Sequence, residues 1–155
     1  MIVGYLGSDG KIYDRNGRFI KELRLEEDEE IMEKDDKFYC GGMSEKVAFG
    51  DSVFERGYTE VVRTSARLIF IREMRAMEKF SNHPFFGAAL LAAMRAKEIA
   101  SLGFREYLEI PLEEINEAKK RITGARNLIM NADGIEYIMV FPKSKKGTLE
   151  ELFGK

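Results

Sequence analysis

Residues 56–73 read RGYTEVVRTSARLIFIRE, and residues 109–115 read EIPLEEI. The first stretch contains two β-prone runs, 59–63 and 67–72, on either side of the polar turn Thr64-Ser65-Ala66-Arg67. In the second run Leu68, Phe70 and the aliphatic stem of Arg72 share one face, while Ile69 and Ile71 lie on the other. Apolar side chains on both faces predict a central strand covered on each side. EIPLEEI reads as a strand running into a short acidic segment. Between the two, residues 82–103 change character. His83-Pro84 is a helix opening, because proline's missing N–H costs nothing in a first turn. Residues 85–94 are apolar apart from Gly87 and rich in alanine, and Gly103 suits a C-terminal cap. A helical insertion over 74–104 between neighbouring strands follows.

Outward from this centre the chain is punctuated by turns. Asn16-Gly17, within Arg15-Asn16-Gly17 between runs 11–14 and 18–25, marks a hairpin, and NADG at 131–134 marks a second. Alternation puts Ile135, Tyr137, Met139 and Phe141 on one face. Residues 2–6 form a short strand ending at the turn signal Ser8-Asp9-Gly10. The charge run EEDEEIMEKDD at 26–36 fits a short surface helix better than a solvated linker. Short β segments at 38–40, 47–49 and 52–55 are broken by Gly41-Gly42, Gly50-Asp51 and Gly57. Strand pattern returns at 106–110 and 115–122, and 146–153 reads as a closing helix. The organisation expected is an N-terminal β-hairpin with an acidic segment over 1–36, then a main body over 37–155.

A chain of 155 residues with 45% hydrophobic and 34% charged residues is of globular type and long enough for a proper core. The net charge of −2 argues against a general nucleic-acid binder, but the charge is uneven. Residues 1–60 hold 9 cations and 15 anions, a net of −6; residues 61–155 hold 16 and 12, a net of +4. Either the halves face each other, or a basic face meets an anionic partner, or the charges are ordinary solvated surface. Cys40 is the single cysteine, which fits a reducing compartment. No secretion signal is visible at the N-terminus, and no apolar run approaches the roughly 20 residues that cross a bilayer. The expectation is a cytoplasmic protein that is not transmembrane.

Taken together, RGYTEVVRTSARLIFIRE, EIPLEEI, NADGIEYIMVF and the closing helix around 148–153 resemble, in that order, the pleckstrin-homology-like or GRAM-type domain. The likeness covers roughly 47–153. It implies an α+β fold: a bent, seven-stranded antiparallel β-barrel with a C-terminal capping helix, here with an inserted apolar helix. It also implies a non-catalytic binding module for anionic lipid headgroups or a protein partner, without a cofactor. The insertion at 74–104 and the N-terminal hairpins depart from the family pattern.

Several residues are candidates for a role. Lys119, Lys120, Arg121 and Arg126 surround a turn at Thr123-Gly124, where cations could grip a phosphate through charge-assisted hydrogen bonds. The alternative is a solvated edge guarded against aggregation by its charges. Lys143, Lys145 and Lys146 could extend the patch. In the inserted helix, Phe85, Phe86, Leu90, Leu91 and Met94 offer apolar area that either covers the open side of the barrel, or forms a homo-oligomer contact through 84–102, or dips into a membrane surface. His83, the single histidine, cannot supply a multi-histidine zinc site. Cys40 has no evident basic partner and reads as a small buried thiol. An enzyme built on Cys40 or His83 ranks last.

Overall fold

The computed structural model describes residues 1–47, 52–73, 103–120, 122 and 124–142. These residues form twelve strands in two open antiparallel sheets. In chain order they are β1 (Ile2–Leu6), β2 (Lys11–Asp14), β3 (Phe19–Glu22), β4 (Ile31–Cys40), β5 (Met43–Glu45) and β6 (Ser52–Phe54), then β7 (Gly57–Thr64), β8 (Arg67–Glu73), β9 (Arg105–Pro111), β10 (Ile115–Lys120), β11 (Arg126–Ala132) and β12 (Ile135–Phe141). The larger sheet runs β3-β2-β1-β9-β8-β7-β4 and the smaller β10-β11-β12-β5-β6. The helical content of the described residues is a single 3-10 turn, Leu112–Glu114.

This corrects the expected α+β barrel. The chain changes sheets three times, at Gly41-Gly42 between β4 and β5, at Glu55-Arg56 between β6 and β7, and at Leu112–Glu114 between β9 and β10. Strands that switch layers at such corners make two packed sheets instead of one rolled layer. The inserted helix, with Phe85, Phe86, Leu90, Leu91 and Met94, and the C-terminal capping helix lie outside the described residues. The acidic run corrects as well: its second half is β4, an edge strand that runs without a break across Asp36 and Lys37 and pairs with β7.

Residues 56–73 behave as their pattern predicts. β7 and β8 form a hairpin with Val61 opposite Phe70, and β8 pairs with β9 from Arg67↔Pro111 to Glu73↔Arg105. Residues 74–104 therefore join two neighbouring antiparallel strands. β8 is buried on both faces. Leu68 and Phe70 face the smaller sheet, where they meet Val61, Leu108, Ile110, Leu128, Met130, Met139 and Phe141 in the main core. Ile69 and Ile71 face outward and join Leu6, Ile12 and Tyr107 in a second cluster. Arg72 closes one end of the main core, with its guanidinium 4.4 Å from the Phe54 ring and paired to Glu106.

Both asparagine- or aspartate-glycine turns form. At Asp133-Gly134 both residues take positive φ (51° and 78°), the requirement of a two-residue hairpin whose twist matches its strands. In the first hairpin only Gly17 does so, and the Asp14 carboxylate fixes the loop by accepting from the Asn16 and Arg18 amides. Along β12, Met139 and Phe141 enter the core, Tyr137 packs against it, and Ile135 ends the face near the turn.

The corner between β4 and β5 depends on an absent side chain. A Cβ on Gly41 would lie 1.3 Å from the carbonyl oxygen of Val140, a backbone atom that cannot step aside. Gly41→Ala is therefore expected to destabilise the protein by about 3 kcal/mol, the upper range for overpacking. Urea unfolding measures this; a midpoint within error of the parent removes the corner's steric argument.

Candidate functional site

Of the basic residues around positions 123 and 124, Lys119 and Arg126 stand near the turn end of the β10–β11 hairpin. Lys119 is exposed near the end of β10, opposite Asn127 in register, and Lys120 is the register partner of Arg126. Opposed residues in a ladder share a face, and neighbours along a strand alternate. Lys119 and Arg126, whose register partners are the adjacent Asn127 and Lys120, therefore belong to opposite faces of the smaller sheet. Arg126, at 9% exposure, is buried and has an interaction partner. Arg121, Lys143, Lys145 and Lys146 lie outside the described residues. Between them at the turn, Ile122 is fully exposed.

Charge is sorted along this hairpin. From 118 to 132 the sequence holds four cations and no carboxylate. Glu113, Glu114 and Glu117 come before or early in β10, while Asp133 and Glu136 stand at the opposite turn. β11 spans seven residues, so the two ends are separated by roughly 20 Å at about 3.4 Å per residue. Asp133 and Glu136 thus lie beyond the Debye length of about 8 Å at physiological salt, whereas Glu117, two residues from Lys119 on the same strand face, is roughly 7 Å away and offsets part of its field. By contrast, an open cleft of about 240 Å³ at the end of β8 sets Lys37, Arg72 and Arg105 against Asp36, Glu60 and Glu73. Its charge balances, and it holds no preference for an anion.

A second constellation was missed in the sequence. On the outer face of the larger sheet, Arg67 donates from Nε and Nη2 to both carboxylate oxygens of Glu29 at 2.8 and 2.9 Å. Its Nη1 donates to Glu109 at 2.5 Å, and Nη2 also reaches the Arg24 carbonyl at 2.7 Å. Glu109 accepts in turn from the Tyr107 hydroxyl at 2.6 Å and from Lys21 Nζ at 2.9 Å. The Thr64 hydroxyl donates to Glu29 and accepts from the Arg67 amide. Two cations and two carboxylates thus form a neutral set, with Glu29, Arg67 and Glu109 all buried.

The network bends the fold. Lys21 on β3 touches Glu109 on β9, although three strand spacings, roughly 14 Å, separate those strands along a flat sheet. The N-terminal strands and residues 23–30 therefore curl back over the outer face. The signal for this was the Thr64 and Arg67 of the polar turn. Nothing local showed which of nine carboxylates between 22 and 36 would answer Arg67.

Protonation follows the geometry. The Arg67 hydrogen bonds outweigh the cost of burial and hold Glu29 at about 2. Burial pushes the Glu109 carboxyl up, but the bonds from Tyr107 and Lys21 and the Arg67 charge overcome it, and the net direction is down. Burial and the Glu109 hydrogen bond push the Tyr107 phenol up. Cys40 is buried in the main core, and burial raises its thiol to about 11. It is protonated at neutral pH, as the small buried thiol expected of it. His83 lies outside the described residues. Among the described residues no three His, Cys, Asp or Glu side chains group to hold a metal ion. Nor is any helix among them long and apolar enough to cross a membrane.

No family model, curated protein or solved structure matches the chain.

Removing Arg67 leaves two buried carboxylates without their main partner. Arg67→Ala is expected to cost about 3–5 kcal/mol in chemical denaturation at pH 7. A depressed carboxyl pKa contributes stability above its unfolded value of about 4.5, and loses it as pH falls through the folded value near 2. Glu29 therefore supplies on the order of 3 kcal/mol at neutral pH that fades between those limits. In a series of urea titrations from pH 6 to pH 2, Glu29→Gln should flatten this acid limb. An unchanged slope would show that Glu29 is ordinarily solvated.

Proposed function

We propose that this protein is a non-catalytic binding module that docks on an anionic surface through the β10–β11 hairpin. The observation that carries the reading is the exposed Lys119 near the end of β10, in a stretch, 118–132, that holds four cations and no carboxylate, with Asp133 and Glu136 at the opposite turn. An anionic surface attracts one end of such an arm and repels the other, so the charge orients the molecule as well as binding it. Each Lys or Arg near an anionic lipid surface contributes about 1 kcal/mol. An exposed lysine such as Lys119 then contributes to a weak, reversible attachment. That suits a module whose overall charge is −2.

The groups with strongly shifted pKa values support a binding role over a catalytic one. Glu29 stays ionised, while Tyr107 and Cys40 stay protonated, across the neutral range. A general acid or base needs a pKa near the working pH. The setting we propose is cytoplasmic, with the protein peripheral to a membrane.

Sedimentation with vesicles tests the reading. Binding to phosphatidylserine-containing vesicles is expected at about 0.05 M salt and should fall away towards 0.5 M, because screening shortens the reach of surface charge. Neutral phosphatidylcholine vesicles should leave the protein in the supernatant. Lys119→Glu should weaken the anionic binding by roughly 5-fold to 30-fold, reversing one charge. Equal binding to both vesicle types would sink the proposal.

A further inference from the structure

β4 is the longest of the described strands, and it stands at the rim of the larger sheet, where among those strands it pairs with β7 alone. A ten-residue rim presents a long row of backbone groups to any strand that can approach it. Its charged middle, Glu33-Lys34-Asp35-Asp36-Lys37, deters foreign strands, because like charges set opposite one another repel. The ends are apolar and open: Ile31 is 54% exposed, Met32 58% and Tyr39 38%. Beside Tyr39 lies its register partner Tyr58, also exposed, with the two rings T-shaped and 5.2 Å apart.

The chemistry of this strand reads alike from either end. Laid antiparallel on a second copy of itself about Asp35, β4 brings Lys34 opposite Asp36, Glu33 opposite Lys37 and Ile31 opposite Tyr39, and each pair occurs twice. A shift of one residue sets Glu33 against Asp36 in one direction and Lys34 against Lys37 in the other. The faces agree as well. Ile31, Lys34 and Tyr39 stand opposite Thr64, Val62 and Tyr58, which are spaced by even numbers along β7 and so share one face. It is the outer face, where Thr64 bonds Glu29 and Val62 packs on the Ile69 and Ile71 cluster. Asp36 lines the cleft that also holds Ile71. The Lys34–Asp36 and Ile31–Tyr39 pairs therefore meet on one surface.

We propose that the rim strand β4 is a homodimer interface, in which two copies of this chain join their larger sheets by antiparallel β4–β4 pairing about Asp35. Such a contact uses the same rim on both copies, so it closes at two and leaves that rim no further partner. Two features keep it weak. Asp35 meets its own copy on the two-fold axis, and the two irregularities of the β4–β7 ladder twist the strand and shorten the stretch that can pair. A reversible dimer that dissociates at about 10–100 μM follows.

Sedimentation equilibrium of the full chain, from about 1 μM to 500 μM, should show a monomer passing into a dimer over that range. Lys34→Asp and Asp36→Lys each turn two attractive pairs into repulsive ones, and each should weaken association by roughly tenfold. Both positions are exposed, so the thermal melting curves should match the parent. Mixed in equal amounts, the two variants again set opposite charges face to face and should form a mixed dimer about as tight as the parent. Asp35→Asn removes the like-charge contact and should tighten the dimer several-fold, while its side-chain oxygen still accepts from the Lys37 amide as the Asp35 carboxylate does. A parent that stays monomeric throughout overturns the proposal. So does a dimer that these variants leave unchanged, or one that mixing does not restore, since either places the contact elsewhere, as in the segment 84–102.

Discussion

Arg67 is the group on which the outer half of the structure depends. Its planar guanidinium faces Glu29 with two parallel hydrogen bonds, turns a third nitrogen to Glu109, and still reaches a backbone carbonyl at Arg24. A lysine could not replace it, because a compact ammonium has no fork with which to hold a carboxylate edge-on. The side chain thereby ties β8, β9 and the segment 23–30 at a single point. Burying charge is expensive, and the arrangement is tolerable because the set is neutral and nearly every donor is used. What the cluster fixes is geometry: it decides how far the N-terminal strands curl across the larger sheet, and so which apolar residues of that face are kept from water.

How much of this could be read beforehand varies with the length scale of the signal. The β8 strand, the Asp133-Gly134 turn and the first hairpin were legible because their causes are local: apolar side chains on both faces, and glycine where φ is positive. The acidic run at 26–36 misled, and the reason is visible in β4. Its pairing with β7 slips between Ile31 and Glu33 and again between Asp35 and Phe38. Each bulge adds a residue and breaks the two-residue alternation that identifies a strand. With its period scrambled and its edge position filled by charge, β4 resembles a helix or a linker more than a strand.

The division into two sheets was out of reach for a different reason. Gly41-Gly42 reads as a break, and a break does not say whether the chain leaves its layer. That Gly41 presses against the Val140 backbone is a fact about β12, a hundred residues away in sequence. The candidate cations lie together in sequence, but of those described Lys119 is exposed and Arg126 is buried.

The order of strands has a consequence for how the chain is made. β1, third from the edge of the larger sheet, lies between β2 and β9, with Ile2 opposite Glu109. During translation at about 5–20 residues per second, β1 emerges on the order of 5–20 s before its second partner exists. β5 likewise waits for β12, with Met43 opposite Met139. Through that interval the nascent protein carries half-satisfied backbone along two strands destined for sheet interiors. Such strands are templates for mispairing between neighbouring ribosomes' products. Refolding of the finished chain, in which both partners are present from the start, avoids this exposure and should be the cleaner of the two routes.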